Sequence, residues 1–358
     1  MRTVPATHRL VEAGMSSLVL TLTQLGWRSF FAEQVAADEA LNRRPVRVIS
    51  VHRGRVTVSG EGFEDSIPSS VAGGGGAEDR PTVGDWLLID RSTGSIARIL
   101  NRTSLFKRPS PGDDRRVQLI AANVDTLFIV TSCDQDFNVA RLERYLVLSQ
   151  EAGVRPVVVL TKADMSPAPE RYATEARALQ AGLQVESIDG RNPTSAARLA
   201  DYCGAGETIA LVGSSGAGKS TLIKTLTGSD GIATQVVRED DGKGRHTTTV
   251  REMHRLAEGA NAGGWLVDTP GMRELGMSDV ASGVTEVFDD VTTLALECRF
   301  ANCAHAEEPG CALQVAMAEG NLDAGRVDRW RKLAQEDGAN SGAAAVRRSR
   351  PGKFGTRR

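Results

Sequence analysis

The octet Gly213-Ser214-Ser215-Gly216-Ala217-Gly218-Lys219-Ser220 follows the apolar run Ile209 to Val212 and precedes a helical pattern at Leu222, Ile223 and Leu226. Strand, glycine loop and helix in that order let backbone N–H groups turn inward around phosphate oxygens, and the helix N-terminus adds its positive dipole end. Lys219 is then the catalytic cation for the β- and γ-phosphates, and Ser220, followed by Thr221, offers a hydroxyl to Mg²⁺. A second stretch, Thr161-Lys162-Ala163-Asp164, follows the apolar run Val157 to Leu160. The Asp164 carboxylate only accepts hydrogen bonds, so it can take both the ring N–H and the exocyclic amine of guanine, where adenine presents an acceptor. Lys162 would lay its stem against the base and Thr161 would brace the loop. A third stretch, Asp268-Thr269-Pro270-Gly271, ends the apolar Trp265-Leu266-Val267. There Asp268 can hold Mg²⁺ through water, and the Gly271 N–H can meet the γ-phosphate.

Two smaller elements complete this reading. Residues 242–249 (GKGRHTTT) lie where a switch loop must, and Thr248 would join the Mg²⁺ shell only when the γ-phosphate is present. The same loop reads equally as a polar, glycine-rich connection. Ser187, after Leu183-Gln184-Val185, is the one residue that fits a fifth element behind the base. Where many GTPases place a water-orienting glutamine, the residue after Gly271 is Met272, so hydrolysis should be slow unless a group from elsewhere assists. His246 is a candidate for that group and equally a structural or partner-contact residue.

In ordinary GTPases the phosphate loop comes first and the base reader last; here the base reader leads. The domain is therefore expected to be a circularly permuted α/β GTPase, which leaves the site intact and moves the chain ends to a place where further units attach. Strands at 126–130, 157–160, 209–212 and 265–267, with helices at 139–152 and 168–181, predict a parallel sheet.

Cys298, Cys303, His305 and Cys311 read C-x4-C-x-H-x5-C, three thiols and an imidazole within fourteen residues. That set closes a tetrahedral Zn²⁺ shell with no open position, so the metal is expected to be structural. Cys133 and Cys203 stand alone and read as buried small residues.

The 358 residues are enough for two or three domains, and 41% apolar residues suffice for real cores. No apolar run approaches a membrane span and the start does not resemble a secretory signal, so a cytoplasmic protein with no membrane partner is expected. The net charge of −2 hides a tail, 347–358, with six basic side chains and no acid. Its composition fits a flexible arm that neutralises phosphates and equally a solvated end. Alternation at Val46 to Ile49, Arg55 to Val58, Gly84 to Ile89 and Ser95 to Leu100 predicts a small β-barrel, an OB-fold by kind, with the glycine run 73–76 as a loop. Arg102, Lys107, Arg108, Arg115 and Arg116 form a basic stretch leaving it. The divisions expected are an N-terminal extension over 1–44, the barrel over 45–110, the permuted GTPase domain over 111–280, a mainly α zinc-binding domain over 281–338 and a basic flexible tail over 339–358.

A barrel, then TKAD before GxxxxGKS before DTPG, then the cysteine cluster: over residues 45–335 this order resembles the ribosome small-subunit-dependent GTPase A family. The resemblance implies a monomeric GTPase that binds GTP and GDP, acts on the small ribosomal subunit and its rRNA in late maturation, and is stimulated by that subunit. TKAD in place of the commoner NKxD, the first forty residues and the glycine insertion depart from the family pattern. The residues by themselves also suit a GTP-dependent switch that grips a non-ribosomal protein or nucleic acid. A permuted GTPase of the large subunit is a third reading, against which the pairing of barrel and zinc cluster stands.

Overall fold

The computed structural model describes residues 20–74, 76, 78–110, 113–228, 251–257, 263–268 and 280–348. Alternating apolar and polar residues build five antiparallel strands: β1 (Arg43–His52), β2 (Arg55–Gly60), β3 (Phe63–Pro68), β4 (Trp86–Asp90) and β5 (Ile96–Ile99). Their order is β3-β2-β1-β4-β5, and one parallel bridge, Val71 to Ile96, joins the chain leaving β3 to β5, so the sheet curls onto itself. Within this sheet β1 is long and carries a bulge between Val48 and Ser50, and it serves two of its neighbours in turn: residues 43–47 pair with β4 and 47–52 with β2. The inward positions, among them Val46, Val48, Val56, Val58, Leu87 and Ile89, alternate as a half-buried strand requires.

A hairpin of β6 (Leu105–Ser110) and β7 (Asp113–Ala122) follows as a separate sheet. The boundary expected after residue 110 falls at its turn, because Asp113-Asp114-Arg115-Arg116 reads as a loop while the backbone pairs as strand. Three members of the basic stretch are correspondingly less free than its composition implies. Arg102 is bidentate to the fully buried Asp85 at 2.7 and 2.8 Å, Lys107 pairs with Glu78 at 2.6 Å, and Arg108 donates to Gln118 at 2.9 Å. Burial pushes the Asp85 carboxyl up and the Arg102 guanidinium pulls it back.

The second body is a sheet of β8 (Thr126–Ser132), β9 (Arg155–Thr161), β10 (Gln184–Ser187), β11 (Thr208–Val212), β12 (Arg251–Arg255) and β13 (Trp265–Asp268), in the order β10-β9-β8-β11-β13-β12. All pairs are parallel except β12 with β13. β8 and β11 are buried along their whole length, which is why they read as continuous apolar runs. Leu127 and Ile129 face the helix Val139–Glu151 through Leu142 and Leu146, whereas Phe128 and Val130 share the other core with Leu222 of the helix Lys219–Thr227. Ser50 and Val51 of β1 pair with Glu252 and Arg251 of β12, so the curled sheet and the parallel sheet are continuous.

The described part of the N-terminal extension, from Leu20 onward, is not appended but built in. Leu25 and Phe31 are buried, Trp27 and Phe31 pack on Trp86 with ring centroids 4.8 and 5.8 Å away, and the Trp265 indole donates to Gln24 O at 2.8 Å. The buried Arg47 of β1 reaches Leu25 O at 2.5 Å and the Thr208 hydroxyl at 2.7 Å, tying the N-terminal segment, the curled sheet and β11 together. Gly26 is at φ +90°, and a Cβ there would lie 2.4 Å from Gly206 O.

At the C-terminus the helix Ala281–Val287 crosses Val139–Glu151 backbone to backbone: a Cβ on Gly283 would lie 2.3 Å from Val147 O. Beside it the buried Glu143 accepts from Arg329 at 2.6 Å and Arg326 at 3.2 Å, and Arg144 is bidentate to Glu336 at 2.8 Å. Gly283→Ala should therefore cost about 2–3 kcal/mol by overpacking. Thermal unfolding and limited proteolysis should show the segment from 281 onward loosening first. The last helix, Ala324–Arg348, runs ten residues past the expected start of a flexible tail at 339. The Ala343-Ala344-Ala345 run, the best helix formers, accounts for the continuation.

Candidate nucleotide site and metal centre

β11 delivers Gly213 at φ +144°, where a Cβ would lie 2.0 Å from Val130 O on the neighbouring strand, so only glycine passes. Gly216 and Gly218 are also at positive φ, and the helix Lys219–Thr227 starts directly after them. The Lys219 ammonium is buried and donates to Gly213 O at 2.7 Å and to Ser214 O, which holds its charge against the loop. Ser220 and Thr221 are exposed at the start of the helix.

β9 ends in Thr161, and the next residue, Lys162, is left-handed at φ 55°. The Thr161 hydroxyl lies 2.6 Å from Ala217 O, so the loop carrying Asp164 is hydrogen-bonded to the glycine loop. Ala163 N–H reaches Ile188 O at 3.4 Å, and the Thr225 hydroxyl donates to Gly190 O at 2.7 Å. These two contacts bring the chain after Ser187 to the loop carrying Asp164 and to the helix that follows the glycine loop. Three separate segments, far apart in sequence, thus meet at the strand ends of one sheet, as nucleotide sites of open α/β sheets do.

Charges around these loops are paired. The Lys162 ammonium lies 2.9 Å from Asp134, whose carboxyl is held down at about 2 by the Ser132 hydroxyl, with the Asp136 N–H and Lys162 adding to it. Asp136 accepts from the Ser214 hydroxyl. Asp164 accepts from Arg191 at 2.7 Å. Asp189 is held below the usual carboxylate range by the Arg191 N–H and guanidinium. Asp134, Asp136 and Arg191 carry no motif signal; only their position after β8 and β10 identifies them.

Asp268 ends β13, next in the sheet to β11. Gly271, His246, Thr248 and Met272 lie outside the described residues, as do 349–358 of the basic tail. Ser187 stands at the end of β10, where its carbonyl accepts from Arg198. Cys133 and Cys203 are buried, and burial pushes their thiols up to about 11 and about 12, which leaves them unreactive small residues.

The four candidate metal ligands come together. Cys298 Sγ lies 3.4 Å from His305 Nδ1 and 3.9 Å from Cys311 Sγ, and Cys311 Sγ lies 3.7 Å from His305 Nδ1. With Cys303, all four donor atoms fall within 4.8 Å of one another. A tetrahedron with metal–sulfur bonds of about 2.3 Å has edges of about 3.8 Å, so the donor set fits a single ion of that size and geometry. His305 is left-handed at φ 58°, its carbonyl accepts from Gln314 at 3.0 Å, and its ring stacks edgewise on Trp330 at 5.6 Å.

Among known proteins, residues 99–278 match the family model described as RsgA GTPase. The Small ribosomal subunit biogenesis GTPase RsgA of Mesorhizobium japonicum is 48% identical over 93% of this chain and 94% of its own. In structure the chain is similar to YjeQ from Thermotoga maritima, with a TM-score of 0.57 at 24% identity over 82% of this chain and 98% of that one. It is similar too to YloQ, a circularly permuted GTPase, with a TM-score of 0.55 at 23% identity over 86% and 97%. These two share the fold. The permuted order of base reader and phosphate loop, the sheet that brings them together and a near-full-length match at almost half identity all lead to one conclusion: the chain belongs to the RsgA GTPase family.

Proposed function

We propose that this protein is a GTPase that binds the small ribosomal subunit, assists its late maturation and hydrolyses GTP to GDP and phosphate when the subunit stimulates it. The observation that carries the reading is the hydrogen bond from Thr161 to Ala217 O, which couples the loop with the guanine-reading carboxylate to the loop with Lys219. A relative 48% identical, named for small-subunit biogenesis, supplies the target.

In this reading Asp164 reads guanine, with Lys162 along the base and Ser187 behind it. The amides of residues 213–219 and Lys219 neutralise the phosphates. Ser220 and Asp268 are oxygen donors of the kind Mg²⁺ takes, with Thr248 joining them in the GTP form. Gly271 meets the γ-phosphate, and His246 is the candidate to assist the attacking water that Met272 cannot orient. Cys298, Cys303, His305 and Cys311 hold a structural Zn²⁺. The curled sheet is an OB-fold barrel that, with the zinc segment and the basic tail, grips rRNA mainly through its phosphates. The protein works as a cytoplasmic monomer; among the described residues no helix is long and apolar enough to cross a membrane.

The test is GTP hydrolysis by the purified protein alone, with small subunits and with large subunits. Slow turnover alone, strong stimulation by small subunits only and its loss in Lys219→Ala are expected. Intact GTP binding without stimulation by either subunit would transfer the function to a non-ribosomal partner.

A further inference from the structure

Arg191 lies in the loop after β10 and is held from two sides by Asp189, whose Oδ1 accepts from the Arg191 backbone N–H at 3.0 Å and from its Nε at 3.1 Å. That anchorage sends the far end of the guanidinium forward, and its Nη2 donates to Asp164 Oδ2 at 2.7 Å. The pairing is chemically specific. A guanidinium presents planar N–H donors in a fork, and the edge of guanine that a carboxylate reads, ring N–H beside exocyclic amine, is the same donor pair on a similar frame.

We infer that Arg191 is an internal competitor of guanine for Asp164, a residue of the protein that sets its guanine-nucleotide affinity and association rate. This rests on reading the site as a guanine-nucleotide site. Guanine takes both carboxylate oxygens in the plane of its ring; in this inference the Arg191 Nη2 occupies the Oδ2 lone pair that one guanine N–H would take, so Arg191 releases it before the base is seated. The apparent dissociation constant is then raised by the inverse of the fraction of molecules in which Asp164 is uncovered, and the effect falls on association. Arg191 is about two-thirds exposed and Asp164 about one-third, at 63% and 35%, so solvent weakens the pair and it opens readily. The Asp189 tether keeps the guanidinium at hand when nucleotide leaves. A cation near a polyphosphate ligand would ordinarily favour binding, so removing Arg191 has opposite signs under the two accounts.

The experiment is stopped-flow and equilibrium binding of a fluorescent GDP analogue to the full chain and to Arg191→Ala, with thermal unfolding as the control for folding. Arg191→Ala should bind GDP roughly two- to five-fold more tightly, almost wholly through faster association. Arg191→Lys, which keeps the charge without the fork, should fall between the two. In an Asp164→Asn background, with the xanthine analogue as ligand, Arg191→Ala should change nothing, because the ion pair is already gone. Unchanged or weaker GDP binding by Arg191→Ala in the native background would overturn the inference and leave the nucleotide site standing. A wild-type chain that binds no GDP would remove both.

Discussion

Asp164→Asn should lower the affinity for GDP by about a hundred-fold and at the same time create affinity for XDP. The carboxylate accepts two hydrogen bonds from guanine, each to a charged acceptor and each contributing about 1.5–3 kcal/mol, so losing one of them and the charge assistance of the other gives about this loss. Asparagine cannot accept from both N–H groups, and its own NH₂ meets the guanine amine donor to donor. Xanthine carries a carbonyl oxygen where guanine carries that amine, so the introduced side-chain amide can donate to it while its oxygen accepts from the ring N–H. Isothermal titration with GDP, XDP and ADP checks this, and ADP should bind neither form. Weaker GDP binding with no gain of XDP binding would mean that Asp164 supports the loop and does not read the base. The fold should tolerate the change, since Asp164 is partly exposed and its ion pair is with the exposed Arg191. The bond that ties this loop to the glycine loop belongs to Thr161.

What could be read in the sequence followed from how local its physical cause was. Gly213 and Lys219 stood out because a phosphate loop needs residue types that little else requires in that order, and the structure supplies the reason at Gly213, where any side chain would strike Val130 O. β8, β9 and β11 were legible as apolar runs because both of their faces are buried. β3, β7 and β12 were not: Phe63–Pro68, the start of Asp113–Ala122 and Arg251–Arg255 are rich in polar or charged residues, and pairing with neighbours along the sheet makes them strands. The N-terminal extension gave no hint of its place, because the burial of its described part depends on Trp86, Arg47 and Trp265, all supplied by later segments. The polar shell of the nucleotide site was invisible for the same reason. Asp134, Asp136 and Arg191 are unremarkable in a row of letters and acquire a role only when three strand ends place them beside Lys162, Ser214 and Asp164.

Stripping the metal should have the largest effect on structure of any single treatment, and it should be confined to one end of the chain. The segment from Cys298 to Cys311 has one wholly buried side chain of its own at the cluster, Cys311, with Cys298 and Cys303 half-buried, so apolar burial there offsets little of the entropy of ordering it. Structural zinc sites contribute of the order of 10 kcal/mol of apparent binding energy to folding, far above what these contacts can provide. The order is passed on through His305: its ring meets Trp330, and its carbonyl accepts from Gln314 and Arg331. Loss of the ion therefore loosens both the helix Ala312–Ala318 and the first turns of Ala324–Arg348. One zinc per chain is expected by elemental analysis of the purified protein, and Cys298→Ser should lose it. Hydrogen exchange should then show protection falling through residues 298–335, while 126–228 keeps its protection and GDP still binds, because Thr161, Lys219 and Asp164 are positioned by β9 and β11. Subunit-stimulated hydrolysis should fall with the zinc. If elemental analysis found no metal and Cys298→Ser left exchange unchanged, the four donors would be packing residues and the zinc assignment would fail.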